Sequence, residues 1–171
     1  MPRTVLLNPG PVNITDKVRQ AMALPDLCHR EKEFADLMAA IRSKLLQAFK
    51  IEEGFTSVLV SGSGTAALEM AISSSLTPGR SMLVIENGVY GERIGKLCDV
   101  YNSNCHTMKP EWGIPPNRDD IEDILSKQSD IEVVSIVHHE TTTGLLNPLQ
   151  TVGELAKKYG KVFLIDCISS L

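Results

Sequence analysis

Val133-Val134-Ser135-Ile136-Val137 carries four β-branched aliphatic residues in five positions, and it runs straight into His138-His139-Glu140-Thr141-Thr142-Thr143-Gly144. The apolar run lacks polar alternation, so it predicts a strand covered on both faces. The polar cluster then marks the strand's carboxyl end. The same two-part unit recurs along the chain. Met82-Leu83-Val84-Ile85 leads into Glu86-Asn87-Gly88, and Val162-Phe163-Leu164-Ile165 leads into Asp166. Ser57-Val58-Leu59-Val60-Ser61 leads into Gly62-Ser63-Gly64-Thr65, and a weaker strand covers Cys105 to Met108.

Helix-period segments separate these runs. One spans Thr65 to Leu76 and is closed by Pro78-Gly79; another spans Tyr90 to Val100. Asn117 is a candidate cap for a helix whose inner face is Ile121, Ile124 and Leu125. Asn147-Pro148 has the form of a cap followed by proline at the first helical position, opening a helix to Tyr159 that Gly160 stops. Five strands alternating with four helices predict an α/β architecture with a mostly parallel sheet covered by helices. In such sheets ligands gather at the carboxyl ends of the strands, where the polar and glycine-rich clusters fall here.

Residues 1–30 differ from the rest. They contain Asn8-Pro9-Gly10-Pro11 and a second break at Pro25, with little core of their own. Residues 31–171 follow as one larger unit, opened by an amphipathic helix over Glu33–Phe49. Its stripe of Phe34, Leu37, Met38, Ile41, Leu45 and Phe49 is expected to pack as core against the sheet. The sequence stops just past a predicted strand, and the chain therefore reads as a fragment of a longer protein.

Composition narrows the function classes. With 171 residues, 43% hydrophobic, 22% charged and a net charge of −4, the chain suits one domain with a real core. The acidic balance argues against a partner such as nucleic acid. No apolar run is long enough to span a bilayer, and Met1-Pro2-Arg3-Thr4 does not open a signal peptide, which points to a cytoplasmic protein. Cys28, Cys98, Cys105 and Cys167 have no CxxC spacing and read as reduced thiols. Adjacent histidines at a strand end should point in opposite directions, so His138 and His139 do not form a metal site, and none is expected elsewhere.

The strand ends carry the chemistry. At Ser63-Gly64-Thr65 the glycine permits a tight turn, and the free amides of the following helix plus two hydroxyls make an anion site. No Gly-Lys-Ser/Thr follows, which excludes a Walker-type loop. Gly62-x-Gly64-x-x-Ala67 with Glu86 at the next strand end satisfies a relaxed dinucleotide fingerprint, and a NAD-binding Rossmann-like domain is one alternative. Asp166 ends an apolar strand, where a carboxylate needs a partner: a cationic ligand such as a protonated ring nitrogen, or the amides of a nearby turn or helix that it caps. Tyr90, at the start of a helix, can either plug the core or lay a flat aromatic face over a ligand, and the threonines at 141–143 offer hydroxyls. A phosphate cradle, a flat face, hydroxyl donors and a carboxylate together match pyridoxal 5′-phosphate better than NAD.

The chain resembles the first part of a class V aminotransferase of the pyridoxal-phosphate-dependent fold type I, close to the 2-aminoethylphosphonate–pyruvate transaminases. The matching segments are Leu7-Asn8-Pro9-Gly10-Pro11-Val12, Ser61 to Glu69, His139 to Gly144, and Leu164 to Ser170. The resemblance implies a partial large domain, with the small C-terminal domain absent. It implies that Ser63, Gly64 and Thr65 hold the cofactor phosphate, that Tyr90 stacks on the pyridine, that Thr141 reaches its phenolic oxygen, and that Asp166 pairs with its nitrogen. It places the Asn8–Pro11 segment near the substrate mouth. It also implies that the Schiff-base lysine lies beyond Leu171; Lys157, Lys158 and Lys161 sit on the polar side of a helix and its exit turn and are not read as that lysine. The chain alone is then expected to be inactive. The whole enzyme would be a homodimer moving an amino group from a small amine to a 2-oxo acid. The favoured pair is 2-aminoethylphosphonate and pyruvate, suggested by Asp26-Leu27-Cys28-His29-Arg30-Glu31 and Thr141-Thr142-Thr143. Alanine or serine with glyoxylate or pyruvate is the alternative.

Overall fold

The structure, a computed structural model, describes residues 4–8, 10–51, 53–101 and 104–171. Pro9, central to the expected rigid Asn8–Pro11 segment, and Met1–Arg3 lie outside the described residues. The chain divides into two compact units, Met1–Ser61 and Gly62–Leu171.

In the first unit, Thr15 caps α1 (Asp16–Ala21) by accepting the amide of Val18 at 3.3 Å. The helix expected over 33–49 is α2 (Lys32–Ala48). None of its residues is buried, so its stripe is not the core packing expected; Phe34, Met38 and Leu45 are half-covered, and Leu37 and Ile41 are exposed. The run 57–61 is also not a strand. Its backbone has no ladder partner among the described residues, and Val58 is 70% exposed. A strand forms only where a neighbour takes its amides and carbonyls, and an apolar pattern alone does not supply one.

The second unit carries the α/β architecture. α3 (Gly64–Ser75), β1 (Ser81–Ile85), α4 (Val89–Val100), β2 (Asn104–Met108), α5 (Arg118–Lys127) and β3 (Ile131–Val137) follow in order. β4 (His139–Glu140) and β5 (Leu145–Leu146) form a small antiparallel ribbon. α6 (Leu149–Lys158) and β6 (Val162–Asp166) close the unit. Among the described residues the main sheet has four strands rather than the five expected, in the order β2-β1-β3-β6, and every pair is parallel.

Alternation along the strands sorts the core into two layers. Leu83, Ile85, Val134 and Ile136 meet Ile121 and Leu125 of α5 and Val152, Leu155 and Ala156 of α6. Met82, Val84, Val133 and Val137 meet Leu68 and Ile72 of α3 and Ile94 and Cys98 of α4. Burial on both faces is why these strands read as unbroken apolar runs. Asn117 caps α5 as expected, accepting the amide of Asp119 at 2.7 Å. Asn147 does not cap α6. Its buried amide instead bonds Asn87 and the carbonyl of Val137, and Pro148 takes the cap position without a side-chain bond. α4 approaches β1 through glycines: a Cβ on Gly91 would stand 2.9 Å from the Cα of Glu86 and from the carbonyl oxygen of Ile85.

At the amino-terminal rim of the sheet, Asp130 accepts from the Ser81 hydroxyl at 2.7 Å and pairs with His106 Nε2 at 2.9 Å. The Ser81 hydroxyl, then His106, hold its carboxyl down to about 2 from 3.8. The lowered value means that the ionised form is favoured by folding. The resulting stability is present above pH about 4 and disappears as pH falls toward about 2. In urea denaturation between these pH values, Asp130→Asn should flatten the acid-side loss of stability. Gly91→Ala forces a methyl against backbone that cannot yield, and should cost about 1–3 kcal/mol in the same assay.

Candidate active site

Parallel register sets the carboxyl ends of the strands level. Ile85 pairs with Met108 and with Ile136, and Val137 pairs with Asp166. Glu86, Lys109, His138 and Asp166 therefore lie along one rim, as parallel α/β topology requires.

The turn at 63–65 opens α3 at this rim. Ser63 is the N-cap and its hydroxyl accepts the amide of Ala66 at 3.4 Å. The amides of Gly64 and Thr65 have no acceptor among the described residues. That pair of free N–H groups, beside two hydroxyls at the positive end of a helix, suits an anion. Gly64 and Asp166 line the same cleft together with Ala67, Leu68, Leu164 and Ile168. Asp166 is 9% exposed; its Oδ1 accepts the Ile168 amide at 3.0 Å, and its other oxygen has no donor among the described residues. Burial pushes the neighbouring Cys167 thiol up.

Tyr90 starts α4 and packs its ring against the core layer of Leu68, Ile94 and Val137. The Arg93 guanidinium lies 4.9 Å from the ring centroid, and its Nη1 donates to the Thr65 hydroxyl at 3.4 Å. Arg93 thus ties the aromatic residue to the anion turn. Sequence reasoning missed it, although three-residue spacing from Tyr90 puts both on one helix face. Glu140 was also missed as more than a metal candidate. It is fully buried and accepts the amides of Tyr90 and Gly91 and the hydroxyl of Thr142. Thr141 is half-buried, and its side chain has no hydrogen-bond partner among the described residues.

His138 Nδ1 meets the Ser170 hydroxyl at 2.9 Å and His139 Nδ1 meets the Ser169 carbonyl at 3.5 Å, so both rings contact the 169–170 segment. Glu86 is only 6% exposed and its Oε2 sits 3.1 Å from Lys109, which withdraws it from the ribose contact of the dinucleotide alternative. That alternative also needs a sheet strand before the glycine turn, where the described residues form none.

A profile of the class-V aminotransferases matches residues 15–171. The chain belongs to the class-V aminotransferase family. It is 41% identical over 167 residues to the 2-aminoethylphosphonate–pyruvate transaminase of Vibrio vulnificus, covering 97% of this chain and 45% of that protein. It superposes on the alanine–glyoxylate aminotransferase of Nostoc sp. with a TM-score of 0.90 at 33% identity, covering all of this chain and 45% of that one. On the pyridoxamine–pyruvate aminotransferase of Mesorhizobium loti the TM-score is 0.87 at 26% identity, over 98% of this chain and 42% of that one. The chain spans about half the length of these relatives. The fold is that of the fold-type-I aminotransferases, a mostly parallel sheet covered by helices, and the family implies pyridoxal 5′-phosphate.

Arg93→Ala removes the guanidinium bonded to Thr65 and stacked near the Tyr90 ring. Inorganic phosphate affinity, read by calorimetric titration of this aminotransferase chain, should fall about tenfold, the usual scale for a hydrogen bond to a charged group.

Proposed function

We propose that this chain is the cofactor-binding part of a transaminase that moves an amino group from 2-aminoethylphosphonate to pyruvate, with pyridoxal 5′-phosphate held at the rim described above. The observation that carries the reading is the pair of free amides at Gly64 and Thr65, opening on the same cleft as the half-satisfied carboxylate of Asp166. An anion site and an acceptor for a protonated nitrogen, side by side, fit the two ends of this cofactor.

In this reading Ser63, Gly64 and Thr65 hold the phosphate by hydroxyls and amides, with Arg93 adding positive charge. Asp166 accepts from the pyridine nitrogen and so keeps a proton on it. Thr141, whose hydroxyl is uncommitted, faces the phenolic oxygen, and Tyr90 covers the ring. When bound, the cofactor supplies an electron-accepting ring that stabilises negative charge on the carbon bearing the amino group. The donor choice is supported by the 41% identity to the Vibrio vulnificus enzyme and by 40% identity to a bifunctional phosphonoacetaldehyde hydrolase/aminoethylphosphonate transaminase of Clostridioides difficile. The homodimer belongs to the same proposal.

The chain's own lysines near the sheet do not suit the role of a covalent anchor. Lys161 donates to the Ile131 carbonyl and Lys158 pairs with Glu122, both at the start of strands or on α5, away from the carboxyl rim. Lys109 does stand on that rim, but beside β2, three strand spacings or about 14 Å from Asp166. Its hydrogen bond to Glu86 raises its pKa, the opposite of what a nucleophilic amine needs. We infer that the chain by itself binds the cofactor without turning over.

The test uses the whole protein that contains this chain, with alanine formation from pyruvate as readout. 2-Aminoethylphosphonate should serve as donor, and Asp166→Ala should lower the rate about a hundredfold or more, the scale of losing a placed acid–base partner. Activity with alanine and glyoxylate, and none with 2-aminoethylphosphonate, would overturn the donor assignment.

A further inference from the structure

Two helices begin at the carboxyl rim over the same face of the sheet, and their first turns are used in opposite ways. In α3 the amides of Gly64 and Thr65 are free. In α4 the first three amides are all taken internally. Val89 N–H donates to the Thr142 hydroxyl at 3.3 Å, and Tyr90 and Gly91 donate to Glu140 Oε2 at 3.0 and 3.1 Å. The other oxygen of Glu140 accepts the Thr142 hydroxyl at 2.7 Å. This carboxylate is fully buried, and it fits tightly: a Cβ on Gly88 would stand 2.1 Å from its Cγ.

A carboxylate without water is costly unless its acceptor sites are filled. Here three donors and the positive end of a helix fill them. Glu140 is bonded both to the turn that carries Tyr90 and to the 141–143 turn, whose Thr142 hydroxyl also accepts the Val89 amide.

We propose that Glu140 is a positioning residue for the cofactor ring: its buried carboxylate locks the first turn of α4 to the Thr141–Thr142 turn and so fixes the Tyr90 ring and the Thr141 hydroxyl relative to each other. The same bonds occupy the α4 terminus, leaving α3 as the anion site at this face. The inference rests on the proposed function and adds a division of labour to it. The α3 turn holds the phosphate, and the Glu140 clamp shapes the slot for the flat heterocycle.

The division can be read by comparing two ligands. Pyridoxamine 5′-phosphate reports on ring and phosphate together, whereas inorganic phosphate reports on the α3 turn and the Arg93 guanidinium bonded to it. Glu140→Gln keeps the shape and an oxygen for the amides but removes the charge. In the full chain it should weaken pyridoxamine 5′-phosphate about five- to tenfold and diminish the circular dichroism of the bound ring. Inorganic phosphate affinity should stay within about twofold of the parent chain. Thr142→Val cuts the other arm of the clamp, leaves the carboxylate on its amides, and should show the same split if Glu140→Gln fails to fold. Equal weakening of both ligands, or an unchanged ring signal in both variants, would overturn the positioning role. If the unaltered chain binds inorganic phosphate but no pyridoxamine 5′-phosphate, the cofactor reading beneath the proposal fails instead.

Discussion

The parallel ladder between β3 and β6 is the constraint on which the site depends. Its last rung pairs Val137 with Asp166, so the carboxylate is delivered level with the end of the buried central strand β3. The ladder from β3 to β1 brings Glu86, Asn87 and the start of α4 to the same height. Parallel strands need crossover connections, and the helices that make them bury both faces. Every chain reversal from strand to helix therefore falls on one rim, and residues more than 100 positions apart in sequence meet there, as Gly64 and Asp166 do.

Three carboxylates are buried at this rim, and each has a different fate. Glu86 is paired with Lys109, Glu140 is filled by amides and a hydroxyl, and Asp166 keeps one oxygen without a protein donor. The low dielectric that makes unpaired charge expensive also makes such a vacancy selective for a donor brought by a ligand. The helix termini follow the same logic, with α4 closed by the protein itself and α3 left open. Most polar groups of the rim are thus already committed within the protein.

The acid-sensitive contacts and the proposed cofactor site lie at opposite rims of the sheet. The Ser81–Asp130–His106 cluster and the Lys161–Ile131 bond tie strand starts together at the opposite rim. The two apolar layers lie between the rims. Changes to the acid-sensitive cluster act through folding, whereas Thr65, Arg93 and Glu140 belong to the opposite rim, where the cofactor site is proposed.

The sequence by itself determined the strands β1, β3 and β6, most helix limits, and the rim positions of Ser63, Gly64, Thr65, Tyr90, Thr141 and Asp166. These follow from local rules: unbroken apolar runs, caps, and polar clusters at strand ends. Tertiary structure decided what local rules do not contain. Residues 57–61 have the composition of a strand, yet pairing requires a neighbour, and none among the described residues supplies one. Asn147 has the form of a cap, but its amide is used across 60 residues on Asn87. Glu86, Arg93 and Glu140 took their roles from partners distant in sequence, because hydrogen bonds and ion pairs depend on distance in space and no spacing along the chain reports it.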